Sequence, residues 1–186
     1  MGRSEEVILV DARNRRIGSD EKLHVHREGL RHRAFSIFLV DAQGAIVLQK
    51  RHPGKYHSGG LWANTCCGHP RPGEATIKGA RRRLFEEVGV RAGVTFAFRS
   101  RYSVAFGNGL SENEIVNVYC GALTGELRPN PSEVVDLAFM PIERLVREAG
   151  REPDAYAFWL HHYLANHRRE LERGLANGAA RHRAAA

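Results

Sequence analysis

The sequence predicts an α+β fold in one domain: a mixed β-sheet, rich in antiparallel pairing, flanked by helices. Three observations predict it. Runs rich in Val, Ile, Leu and Phe recur between clusters of turn residues, as strands do. Two stretches instead carry apolar residues at helical spacing. The length, 186 residues, suits one domain of about 100–200 residues.

Glu6 to Val10 reads as a first strand, ended by the polar stretch Asp11 to Asn14. Arg33–Val40 and Ala45–Gln49 are β-rich runs joined by Asp-Ala-Gln-Gly, a short loop with the glycine that a hairpin favours. Between Glu74 and Val90, Ile77, Ala80, Arg81, Leu84, Phe85 and Val88 recur at helical spacing, and Gly89 stands where a C-terminal cap belongs. Strands are expected at Val94–Val104, Asn113–Ala122 and Val134–Met140. Pro141 opens a short helix to Ala149, and Asp154 is expected to cap a longer one striped by Tyr156, Trp159, Leu160, Tyr163, Leu164 and Leu171. Residues 1–4 are expected to be disordered, 5–175 to form the domain, and 176–186 to be a disordered Ala/Arg tail. No internal repeat is visible.

Composition narrows the function. At 42% hydrophobic and 26% charged, the chain is an ordinary folding sequence, so whole-chain disorder is excluded. No apolar run reaches the ~20 residues of a membrane-spanning helix, and acidic residues precede the first apolar stretch. The expectation is a protein neither exported nor inserted in a membrane. Three cysteines, two of them adjacent, make a poor disulfide framework and point to a reducing cytoplasm. The net charge of +7 favours anionic partners, but the arginines are dispersed and form no stripe interleaved with aromatics. A small phosphorylated molecule fits better than nucleic acid. Oligomeric state is not encoded legibly.

One segment carries a strong spacing. Five residues separate Gly68 from Glu74, seven separate Glu74 from Arg82, and Leu84, Glu86, Glu87 and Gly89 follow. Carboxylates on such a helix can hold magnesium, a hard cation that prefers oxygen ligands and bridges phosphates. Arg83 and Glu87 lie at i and i+4, so a guanidinium and a cation ligand face the same side, although such spacing equally supports a surface helix with internal ion pairs. Elsewhere, Glu112 and Glu114 are two apart on a predicted strand and share a face, as Cys67 and His69 do if their segment is extended. Together with His26 and His32, the residues His69, Glu112 and Glu114 offer imidazoles and carboxylates suited to manganese, zinc or magnesium.

The loop-helix spacing resembles the Nudix box, with Arg83 where Nudix hydrolases usually have a glutamate. The loss of a metal ligand weakens the case for hydrolysis. Upstream, Trp62 to Pro70 reads WANTCCGHP, and downstream Ser111 to Glu114 reads SENE. With these the chain resembles type 1 isopentenyl diphosphate isomerases from Glu6 to about Tyr163. The resemblance implies a Nudix fold and conversion of isopentenyl to dimethylallyl diphosphate. It implies one divalent metal on His26, His32, His69, Glu112 and Glu114, and magnesium held with the diphosphate by Glu87 and the Cys67 carbonyl. It makes Cys67 and Glu114 the proton-transfer pair with Tyr102 as relay, and it puts Lys22, Arg51, Lys55 and Arg83 on the diphosphate. Trp159 would stabilise a carbocation by cation–π attraction, worth ~2 kcal/mol when desolvated, while its place on an apolar stripe equally suits a core aromatic. Cys66 fits the role of a small buried hydrophobe. A Nudix diphosphohydrolase is the rival reading, and a non-catalytic Nudix binding module is the third.

Overall fold

The strand His32–Val40 is buried along nearly its whole length and organises the molecule. A computed structural model describes residues 5–185, with side chains described as far as residue 180; the N-terminal expectation for residues 1–4 lies outside that range. In chain order the elements are β1 (Glu6–Val10), β2 (Arg16–Glu21), α1 (Lys22–Arg27), β3 (His32–Val40), β4 (Ile46–Arg51), β5 (Trp62–Asn64), β6 (Cys66–Gly68) and α2 (Thr76–Val88). Then follow β7 (Val94–Ala105), β8 (Ser111–Ala122), β9 (Val134–Met140), α3 (Ile142–Arg151), α4 (Phe158–Asn166) and α5 (Arg168–Ala185).

β3 pairs in parallel with β8, from His32↔Glu114 to Val40↔Ala122, and antiparallel with β6 at Ser36↔Cys67. β7 and β8 form a long antiparallel hairpin, and β4 pairs with β9. The sheet is mixed, as expected. Because side chains alternate along a strand, β3 feeds two cores. Phe35, Ile37 and Leu39 pack with Cys66, Leu84 and Val88 beneath α2. Ala34, Phe38 and Val40 pack with Val116, Trp159, Leu160, Tyr163 and Leu171 beneath α4 and α5.

Helix α2 is set by close approach. A Cβ on Gly79 would lie 2.8 Å from a Glu74 oxygen and 3.0 Å from Pro70 Cα, so only glycine lets the loop from Gly68 fold onto the helix. Gly89 ends it in the left-handed region at φ 72°, donating to the Phe85 carbonyl. Phe85 departs from the expected stripe: it is 45% exposed, with Arg91 over its ring.

Other elements differ from expectation. β2 and α1 have no clear sequence signal, because β2 is nowhere fully buried and shows no alternation. Asp154 does not cap the long helix; it sits in a short 3-10 turn, Pro153–Ala155, and α4 starts after Ala157. The apolar stripe then crosses a break at His167. Residues 176–185, expected as a loose tail, are helical as the end of α5, with Ala179 buried. The reason is close packing on β8. A Cβ at Gly174 would meet Cys120 Sγ at 2.7 Å, and one at Gly178 would meet the Gly121 backbone at 3.0 Å. Among the described residues no helix is long and apolar enough to cross a membrane.

Candidate active site

Strand pairing gathers residues of β3, β4, β6, β7 and β8 around one cavity, which α1, α2 and α4 complete. β6 brings Cys67, Gly68 and His69 to one flank of β3, and β8 brings Glu112 and Glu114 to the other. Tyr102 faces Glu114 across the β7–β8 pair. The cavity is lined by Cys67, Tyr102, Glu114 and Trp159 and, toward its charged side, by Lys22, Arg51, Lys55, Arg83 and Glu87.

At one end, donor atoms of His26, His32, His69 and Glu112 all lie within 4.8 Å of one another, each in a buried residue. The backbone decides how they face. His26 Nδ1 is 2.6 Å from the Lys22 carbonyl and His32 Nδ1 is 2.8 Å from the Leu30 carbonyl. A carbonyl only accepts, so both rings carry their proton on Nδ1 and turn the Nε2 lone pair inward. Each Nε2 lies 3.3 Å from Glu112 Oε2. Lone pairs facing a carboxylate need a positive charge between them. His32 Nε2, His69 Nδ1 and Glu112 Oε2 are buried without an aligned hydrogen-bond partner. This donor set fits a divalent cation, with carbonyl-anchored imidazoles of the kind that orient metal ligands.

Glu114 joins the group through His69 Nε2 at 2.9 Å and His32 Nε2 at 3.5 Å, and it accepts a hydrogen bond from the Tyr102 hydroxyl. Burial works to raise both carboxyls, but the surrounding histidines hold Glu112 and Glu114 below the usual carboxylate range. Burial likewise works against charge on His32, but where no cation stands at its Nε2 the two carboxylates override burial and push this imidazole up to about 10, so that a proton takes the cation's place. The place demands positive charge.

Cys67 and Trp159 share one acceptor. Asn64, wholly buried, donates from Nδ2 to the carbonyls of Ile37 (2.9 Å) and Cys66 (3.1 Å), so its Oδ1 must face the site. That oxygen accepts from the Cys67 thiol at 3.1 Å and from Trp159 Nε1 at 3.1 Å. Burial pushes the Cys67 thiol up to about 12, so at rest it keeps its proton. Cys66 points the other way into the α2 core and is fully buried.

At the charged side, α2 presents Arg83 and Glu87, joined at 2.6 Å, and Gln49 donates to the second Glu87 oxygen at 2.9 Å. Glu133 pairs with both Arg83 and Lys55. Burial depresses the Lys55 ammonium to about 8. Lys22 pairs with Glu5 and lies over the Tyr56 ring. Arg51 is already engaged: it donates to the carbonyls of His57 and Ser58, and its guanidinium lies 5.2 Å from the Trp159 ring centre. Glu74 clamps Arg82 with two bonds of 2.9 Å, which ties the loop to the helix.

A NUDIX domain model matches residues 30–160. The chain is 45% identical to the isopentenyl-diphosphate Delta-isomerase of Burkholderia multivorans, over 84% of this chain and 89% of that one. It is 44% identical to isopentenyl-diphosphate Delta-isomerase 2 of Aromatoleum aromaticum, over 84% of this chain and 82% of that one. The chain belongs to the isopentenyl-diphosphate Delta-isomerase family of Nudix proteins. The fold is that of DR0079 from Deinococcus radiodurans, TM-score 0.70 at 19% identity over 88% of this chain and 99% of that one. It is also that of a MutT NUDIX hydrolase from Burkholderia pseudomallei, TM-score 0.59 at 20% identity over 74% and 98%.

Every site residue expected from this isomerase family's motifs lies on or beside the one cavity. Other residues there escaped the sequence reading: Asn64, Glu133, and the Tyr56–His57 pair. Tyr56 bonds His26 Nε2 through its hydroxyl at 3.3 Å, and His57 Nε2 lies 2.7 Å from Glu112 Oε1. Asn64 had a signal in its place within WANTCCGHP. The others had none, since each is a polar residue in a loop.

Proposed function

We infer that this protein isomerises isopentenyl diphosphate to dimethylallyl diphosphate. The observation that carries the reading is the placing of Cys67 and Glu114 on opposite flanks of β3 in one cavity whose other side is cationic. The reaction moves a double bond by one position. The alkene takes a proton at its terminal methylene, forms a tertiary carbocation, and loses a proton from the neighbouring methylene. Two proton-transfer groups on either side of the substrate are required.

Cys67 and Glu114 are that pair, with the Tyr102 hydroxyl on Glu114 as relay. Trp159 lies against the cavity with its indole nitrogen fixed by Asn64, so its ring face is held for a cation. Lys22, Arg51, Lys55 and Arg83 bind the diphosphate, and Arg51 also shapes the loop beside it. The cavity wall of Phe35, Trp159 and Tyr102 shields the carbocation from water. His26, His32, His69, Glu112 and Glu114 would hold manganese, zinc or magnesium, whose charge would set the acidity of the Glu114 carboxylate. Glu87 and the Cys67 carbonyl would hold magnesium with the diphosphate, where it would offset the phosphate charge. Hydrolysis is disfavoured because Arg83 takes the place of a box glutamate and is bonded to Glu87.

One experiment separates the readings. Isopentenyl diphosphate is incubated with enzyme and magnesium in deuterated water while proton spectra and inorganic phosphate are followed. Isomerisation places deuterium in a methyl group of dimethylallyl diphosphate and releases no phosphate. Phosphate or monophosphate without label in the carbon skeleton moves the chain to a hydrolase, and no change at all leaves a binding module.

A further inference from the structure

His57 is a fourth buried histidine beside the carboxylate cluster, and its ring is set differently from the others. Its Nε2 lies 2.7 Å from Glu112 Oε1, while the lone-pair edges of His26 and His32 meet Glu112 Oε2. The two sides of the carboxylate therefore meet different chemistry. His26 and His32 have their Nδ1 on backbone carbonyls. His57 has its Nδ1 3.3 Å from the Ser58 hydroxyl, a group that can donate as well as accept. An ionised carboxylate oxygen only accepts, so a neutral His57 in that contact carries its proton on Nε2 and accepts from Ser58 at Nδ1. That is the opposite tautomer from His26 and His32. Two rings are set to give lone pairs to a cation, and one is set to give a proton to the carboxylate.

The placement of His57 is over-determined. Its ring stacks on Phe106 at 4.8 Å and 10°, and meets Trp159 edge-on at 5.8 Å. Arg51 holds the carbonyls of His57 and Ser58, and Asn108 holds the Tyr56 carbonyl at 2.8 Å. Four residues thus fix this loop histidine and its neighbours. The contact falls off the axis of a full hydrogen bond, since His57 Nε2 is left without an aligned partner.

We propose that His57 is a positioning residue of the cation centre: it clamps one oxygen of Glu112 so that the other is presented beside His26 and His32. The proposal takes the cation site of the proposed function as its frame, but its test does not depend on turnover. Outer partners of metal ligands typically contribute about 10–100-fold in affinity, and that is the effect expected here.

The test is manganese affinity of the full-length protein, freed of metal by chelation and titrated with Mn2+ alone, read from the free-ion electron paramagnetic resonance signal. Three variants separate the roles. His57→Gln keeps an N–H donor near the Nε2 position and should bind within about threefold of the parent, inside the loss expected for a missing partner. His57→Phe keeps the stacking on Phe106 and Trp159 without a donor and should bind about 10–100-fold more weakly. His57→Ala should match His57→Phe, and if it fails to fold, the Gln and Phe pair carries the comparison. His57→Phe binding like the parent overturns the clamp in favour of packing. His57→Gln and His57→Phe both losing Mn2+ as fully as His32→Asn overturns it in favour of direct ligation. Failure of the isomerase reading would appear instead in the turnover assay, with Mn2+ affinities unchanged.

Discussion

Replacing Tyr102 with phenylalanine removes one oxygen from the site and little else. The ring is held by Phe158, His162 and Tyr163, with centroids 5.7, 5.3 and 6.4 Å away, so it keeps its position without the hydroxyl. What disappears is the hydrogen bond donated to Glu114. A hydrogen bond to an ionised group contributes about 1.5–3 kcal/mol. Each step of about 1.4 kcal/mol in barrier is tenfold in rate, so kcat should fall about 10–150-fold if the bond acts in the transition state. KM should stay within about twofold, because the hydroxyl bonds the carboxylate and not the diphosphate side. Steady-state kinetics with isopentenyl diphosphate measures both. Tyr163→Phe is the matched comparison: its hydroxyl bonds Ser36 Oγ at 2.9 Å and makes no hydrogen bond to Glu114, and its loss should cost about 1 kcal/mol of stability with a much smaller change in kcat. A Tyr102→Phe enzyme with unchanged kcat, or one matched by Tyr163→Phe, would refute the relay.

Cys67→Ala should abolish nearly all turnover while isopentenyl diphosphate still binds, measured by calorimetry, whereas Cys66→Ala should keep most activity because Cys66 packs in the α2 core. Equal losses from the two changes would remove the reason for choosing Cys67. Lys55, with its ammonium depressed to about 8 by burial, is charged below that pH and neutral above it. KM for the diphosphate should therefore rise as pH climbs through about 8, and Lys55→Arg, charged to beyond about pH 12, should flatten that limb. A pH profile identical in both enzymes would exclude Lys55 from the diphosphate site.

The elements legible in the sequence are those with a local pattern. β1, β3, β7, β8 and β9 announce themselves by β-branched and apolar runs between turn residues, and α2 by its spacing and Gly89, because burial of one face imposes a period on the side chains. The candidate site was partly legible for the same reason. Glu112 and Glu114, two apart on one strand, share a face wherever that strand lies, and Cys67 and His69 do likewise, so short-range geometry alone groups them. Which of these groups meet was decided by pairing between distant segments. β3 brings Cys67 to Ser36 on one side and Glu114 to His32 on the other, a juxtaposition that no local pattern encodes. His57 shows the limit most clearly: it is a loop histidine like any other until β8 carries Glu112 to within 2.7 Å of it. Arg51 has the charge of a phosphate ligand, and only the tertiary structure shows that its guanidinium also holds two loop carbonyls and lies over the Trp159 ring. The C-terminal segment, rich in Gly and Ala, has the composition of a loose tail. Those same small residues let α5 lie close on Cys120 and Gly121, and only the partner surface turns a weak local preference into a packed helix.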